Sequence, residues 1–143
     1  MIRGKLIHPE ILAALASAGH GSTVLISDGN FPHATAPSIE APRVFLNLSP
    51  GLLTVSQVLD VLVEAIPIER AALMIPQEPG APTPDAHADL LGRLPAGVEV
   101  DRILRMDFYP ATDTEALALV IATGDLRLYA NVLLTIGVIE TGT

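Results

Sequence analysis

The sequence predicts a three-layer α/β/α domain around a largely parallel sheet, and three observations predict it. Short apolar runs rich in branched residues alternate along the chain with segments of helical periodicity. Those runs are apolar at consecutive positions, as strands covered on both faces are. No internal repeat and no long linker interrupts the alternation, so residues 1–143 read as one domain.

The first helix is predicted over 8–18. Pro9 suits its first position, Ile11, Leu12 and Leu15 share a face, and Gly19 is a natural stop. A buried strand over 23–27 follows, broken by the loop Asp28-Gly-Asn-Phe-Pro32. Residues 33–42 are small and turn-prone and read as a surface excursion before a strand over 43–48. Thr54-x-x-Gln57 has capping-box spacing, and Val55, Val58, Leu59, Leu62 and Ile66 continue from it as one helical face up to Pro67. The rest reads as a strand over 71–75, a Pro- and Gly-rich loop over 76–84, and a helix over 85–94. A strand over 98–106 and a short helical stretch over 108–115 follow. Two final strands, 117–122 and 129–138, are joined by a Thr123-Gly124-Asp125 turn.

Hydrophobic residues make up 50% of the chain and charged residues 17%, which supplies a core and argues against disorder. So apolar a small domain is also expected to lose surface to contacts between copies. The formal charge of -8 offers no basic stripe for nucleic acid and repels anionic membranes, leaving a neutral small molecule as the easier partner. The absence of cysteine excludes disulfides, thiolate catalysis and cysteine metal sites. No stretch of about 20 apolar residues predicts a membrane span, and no signal-peptide run follows Arg3 and Lys5. The expected compartment is the cytoplasm.

In parallel α/β sheets ligands gather where strands end. Asp28 stands at such an end, to orient a hydroxyl, hold a histidine or cap its own loop. His20 lies between two glycines before the same strand. Imidazole gains and loses protons near neutral pH, so His20 is a candidate acid or base; the plainer reading is a cation closing a helix. His33 reads as a solvated loop histidine, and His8 and His87 as exposed residues of helices. His20, Asp28 and His33 lack the spacing of familiar zinc sites, so no metal is expected. Gly19-His20-Gly21 precedes a strand and is followed by no Lys-Ser/Thr pair, so it is no phosphate loop. Arg105, in the apolar stretch Ile103-Leu-Arg-Met106, needs a partner if buried. Period two puts Tyr129 and Asn131 on one strand face, where a phenol and a carboxamide can grip vicinal hydroxyls or merely anchor a sheet edge.

Taken together, Ala18-Gly-His-Gly21, Val24-Leu-Ile-Ser-Asp28, Asn30-Phe-Pro32, Phe108-Tyr109, Ala122-Thr-Gly-Asp-Leu-Arg-Leu-Tyr-Ala-Asn131 and Gly137-Val138 resemble the fucose mutarotase and ribose pyranase family. The resemblance runs from about residue 6 to 139 and rests on the order and spacing of these motifs. Arg105 and Asn30-Phe-Pro32 are similar to the fucose branch. Leu48-Ser-Pro-Gly51 and Tyr129-Ala-Asn131 are similar to the ribose branch, and 76–84 matches neither. The resemblance implies an isomerase without cofactor that interconverts sugar anomers, an L-fucose-like sugar being favoured over the ribose pyranase alternative. It implies that His20 is the catalytic proton donor and that Asp28, Arg105, Tyr129 and Asn131 contact the sugar, with Tyr129 as a second proton-transfer group. It also implies a toroidal homo-oligomer, a decamer of two stacked pentamers or a pentamer, with sites near subunit boundaries. A non-catalytic sugar-binding module or a structural oligomer is the competing reading, and neither would need His20.

Overall fold

The computed structural model describes residues 1–142. Its elements are α1 (Pro9–Ser17), β1 (Thr23–Ser27), β2 (Arg43–Phe45), α2 (Val55–Ala65), β3 (Ile68–Ile75), α3 (Ala86–Arg93), β4 (Glu99–Leu104), α4 (Arg105–Thr112), β5 (Leu117–Ala122) and β6 (Val132–Ile136). The strands form one six-stranded sheet in the order β2-β5-β1-β6-β3-β4. β6 runs antiparallel to its neighbours β1 and β3, while the other pairings are parallel.

Successive side chains of a strand point to opposite faces, which explains why these strands are apolar at every position. Val24, Ile26, Leu119, Ile121, Val132 and Leu134 pack under α1, α2 and α3 through Ile11, Leu59, Leu62 and Leu90. Leu25, Val120, Leu133, Ala72 and Met74 face the other way, onto Phe108 of α4, Phe31 and Ala41. The expected α/β/α layering is therefore present, but the second outer layer is thin. Part of it is the segment expected as a surface excursion over 33–42. That segment is not free on the surface: its end packs on the sheet at Ala41, and Arg43 fastens it. The Arg43 guanidinium donates to the carbonyls of His33, Pro37, Ser38 and Ala41 at 2.8–3.0 Å. Backbone buried outside regular structure needs such donors.

Three predicted strands are shorter than expected. The 43–48 strand stops at Phe45 and the 98–106 strand at Leu104, because α4 begins at Arg105. The 129–138 strand starts only at Val132, and Thr123-Gly124-Asp125 is not a hairpin turn. β1 lies between β5 and β6, so residues 123–131 must cross the end of β1. No helix of the described residues is long and apolar enough to cross a membrane.

The crossing is anchored to α2. Thr54 and Gln57 form the predicted capping box, and Asp125 Oδ2 accepts the Val55 N–H at 3.0 Å. Asp125 is buried and also accepts from Arg127 Nη2 at 2.7 Å. Burial pushes its carboxyl up, but the Arg127 side chain and the Arg127 and Val55 N–H groups outweigh that and hold it below the usual range. A depressed folded value means that this ionised carboxylate stabilises the fold above the unfolded value of about 4. The contribution is lost as pH falls through the folded value. Asp125→Asn is thus expected to lower the melting temperature at pH 7, with the gap to wild type narrowing as pH falls below the unfolded value of about 4; an equal gap at neutral and acid pH would refute this role.

Candidate active site

The ends of β1 and β3 meet the start of α4 and the approach to β6 around a cavity of about 250 Å³. Four predicted site residues line it: Asp28, Arg105, Tyr129 and Asn131. β6 explains their meeting. Its antiparallel course pairs Val132 with Ile26, which sets Asn131 beside Asp28.

Asp28 and Asn131 clasp each other. The Asn131 carboxamide accepts the Asp28 N–H at 2.8 Å and donates to Asp28 Oδ2 at 3.0 Å. Asp28 Oδ1 accepts the Asn30 N–H at 2.9 Å, the loop-capping role weighed for it from the sequence. Both side chains are 3% exposed. Burial pushes the Asp28 carboxyl above the usual carboxylate range, opposed by hydrogen bonds from Asn30, Asn131 and Phe31 and assisted by the charge of Asp125. A carboxylate oxygen can accept more than one bond, so the clasp leaves Asp28 acceptor capacity toward the cavity.

Arg105 opens α4 instead of lying in a strand. Its charged form is favoured by the Tyr109 hydroxyl first, then by Tyr129 and by Glu78 from the 76–84 loop. Tyr129 is not on a strand either. Its φ is 61°, in the left-handed region, so the expected alignment with Asn131 by period two does not exist. Both reach the cavity because the chain turns between them.

His20 is not in this cavity. It follows α1, and its side chain is 58% exposed. Its Nε2 lies 3.0 Å from Oε2 of Glu69, at the start of β3, whereas Met74 near the end of β3 lines the cavity. The whole of β1, five residues or about 16 Å at roughly 3.3 Å per residue, separates His20 from Asp28. Within this chain Asp28 therefore does not hold the histidine; Glu69 does.

The other histidines also depart from expectation. His33 is partly buried and not a free loop side chain: its Nδ1 meets Ser27 Oγ at 2.9 Å, and burial lowers its proton affinity. His8 caps α1 by accepting the Ile11 N–H. His87, expected to be exposed, is 1% exposed, because it falls on the face of α3 that packs inward. Among the described residues no three His, Asp or Glu side chains converge as metal ligands.

A model of the RbsD / FucU transport protein family matches residues 1–139. The chain belongs to that family. It is 33% identical to a D-ribose pyranase of Variovorax paradoxus over 141 residues, covering 96% of this chain and 98% of that protein. It is 30% identical to the fucose mutarotase of Mus musculus over 149 residues, covering 96% and 94%. The structure of Bacillus subtilis RbsD complexed with D-ribose shares the fold, with a TM-score of 0.81 at 23% identity over 98% of this chain and 100% of that one.

In this RbsD / FucU member the C-terminal motif divides its work. Asp125 and Arg127 anchor the crossing segment, and Tyr129 and Asn131 face the cavity. Sequence reasoning missed Glu69 and Glu78, and marked Tyr109 only as part of the Phe108-Tyr109 motif. Glu69 lies at the polar start of a strand and Glu78 in a loop that matches neither branch, so neither has a local pattern that marks it.

Proposed function

We propose that this chain is a monosaccharide mutarotase that opens and recloses a pyranose ring by general acid–base catalysis, without a cofactor, with an L-fucose-like sugar as substrate. The observation that carries the reading is the cavity: a carboxylate, a carboxamide, a phenol and a guanidinium converge on about 250 Å³. That set pairs donors with acceptors as vicinal hydroxyls require. The relatives named D-ribose pyranase and fucose mutarotase point to the same chemistry.

Ring opening takes a proton from the anomeric hydroxyl and gives one to the ring oxygen; the aldehyde turns, and closure reverses the transfers. In this reading Asp28, Asn131 and Arg105 hold hydroxyls, Arg105 stabilises partial negative charge on oxygen, and Tyr129 is the second proton-transfer group. His20 is the acid or base, and it acts on the cavity of a neighbouring copy in a homo-oligomer, for which a toroidal decamer of stacked pentamers or a pentamer is proposed. Exposed Leu126 and Leu128 beside the cavity, and exposed Val138 and Ile139 just past the β6 end where His20 lies, are apolar surfaces suited to such contacts. Glu69 at Nε2 selects the tautomer with its proton on that nitrogen, which leaves Nδ1 as the free base. The proposed compartment is the cytoplasm.

A D-ribose pyranase is the second reading, favoured by Tyr129-Ala130-Asn131 and Leu48-Ser49-Pro50-Gly51. Exchange spectroscopy on anomeric protons with L-fucose, D-ribose and D-galactose separates the two. Enhanced exchange with L-fucose is expected. Enhancement with D-ribose alone would establish the second reading, and none with any sugar would favour a binding module.

A further inference from the structure

We infer that His87 is a positioning residue for Tyr129: its buried imidazole holds the Tyr129 carbonyl and so aims the phenol into the cavity. The inference rests on the proposal that Tyr129 contacts the sugar, and it assigns a role to a residue outside that contact set.

The segment from Arg127 to Asn131 is pinned at three points. Arg127 is held by Asp125 and by Asp89 of α3, the latter at 2.8 Å. Asn131 is held by Asp28. Neither pin sets the rotation of the peptide between them, and that rotation decides where Tyr129 points. The third pin does. His87 Nε2 donates to the Tyr129 carbonyl at 3.2 Å. Tyr129 is also the non-glycine residue with positive φ among the described residues, a conformation that bulky side chains adopt only when their surroundings impose it.

His87 carries a cost that packing alone would not require. It is 1% exposed, and its Nδ1 has no hydrogen-bond partner among the described residues. An apolar side chain would fill the same site without an orphaned polar atom. Burial lowers its proton affinity; the Tyr129 carbonyl opposes that first and the Met74 backbone, close by but outside hydrogen-bond geometry, second, while the nearby Arg102 charge adds to the lowering. A neutral ring with hydrogen on Nε2 supplies the one donor that the Tyr129 carbonyl needs. Strain and an unpaired polar atom thus fall at one contact, beside the cavity, where they serve the aim of one phenol.

The test compares His87→Gln with His87→Asn. A glutamine amide reaches the position of Nε2; an asparagine amide falls short, although both are polar. Anomeric exchange is measured across sugar concentration for these variants, for Tyr129→Phe and for His87→Asn combined with Tyr129→Phe. In parallel, ¹³C-tyrosine labelling reads the backbone directly, since the chain has only 2 tyrosines, Tyr109 and Tyr129. We expect His87→Asn to lose at least about tenfold in exchange, in the same parameter (kcat or KM) that Tyr129→Phe affects, and His87→Gln to stay within about threefold. The double variant is expected to match Tyr129→Phe alone, because the two residues act as one unit. The Tyr129 Cα resonance should move in His87→Asn and hold in His87→Gln, with Tyr109 unmoved. Equal behaviour of the Gln and Asn variants, or an unmoved Tyr129 resonance in His87→Asn, overturns the inference. If wild type exchanges no sugar, the mutarotase reading fails by itself, and the Tyr129 resonance still decides the role of His87.

Discussion

Changing His20 to alanine is expected to remove catalysed anomeric exchange, a loss of about 10²–10⁴-fold, the range of one general acid or base. The fold should be indifferent. His20 is largely exposed, and its side-chain bond is an exposed contact with Glu69; such pairs contribute little, so the melting temperature should stay within about 2 °C. Its distance from the cavity makes the prediction sharper. Because β1 separates His20 from Asp28 within this chain, the proposed catalytic role requires the histidine of one copy to serve another. Co-assembling His20→Ala with Arg105→Ala should then restore exchange that neither variant shows alone. Intact cavities of the first variant would meet intact histidines of the second. Mixed assemblies that stay inactive would sink the shared-site arrangement, and a fully active His20→Ala would sink the catalytic role.

Asn131→Ala is expected to have the largest effect on stability among the site residues. It strips two hydrogen bonds from Asp28 and leaves a buried N–H and a buried carboxylate oxygen without partners. The cost is about 3 kcal/mol, or about 10 °C in melting temperature, and sugar exchange falls with it. The loss should depend on pH in a definite direction. Burial already raises the folded value of Asp28 above its unfolded one, and the Asn131 amide is one of the groups that oppose the rise. With a raised folded value the native state binds the proton first, so stability falls as pH rises through that value. Without the amide the penalty for ionised Asp28 grows. The gap between variant and wild type should be widest at pH 7 and narrow toward pH 4. Thermal melts at the two pH values measure it; a uniform gap of about 2 °C would show that the clasp contributes little.

Much of the fold is readable because its determinants are local. The Thr54 to Gln57 capping box, Pro9 at the start of α1 and the apolar runs of β1, β3 and β5 act within a few residues, and the structure contains each of them. The layering follows from strands apolar on both faces. What escapes are features whose cause lies far along the chain. The excursion over 33–42 packs on the sheet because Arg43 supplies its carbonyls with donors, and turn-prone residues look alike whether packed or free. His87 shares a helical face with Leu90 and Leu91, but a histidine on such a face reads as exposed until the packing of α3 against α2 and the crossing segment turns it inward.

The site divides in the same way. Residue chemistry and the family resemblance marked Asp28, Arg105, Tyr129 and Asn131 as candidates to hold a sugar and His20 as a candidate acid or base. Only the tertiary structure decided which of them share a cavity. Asp28 and Asn131 are 103 residues apart and meet because β6 enters the sheet antiparallel between β1 and β3. His20, only eight positions before Asp28, is carried to the opposite end of the same strand. Sequence spacing is a distance along the chain, whereas a cavity is set by strand order and direction, and those are decided by how the whole core packs.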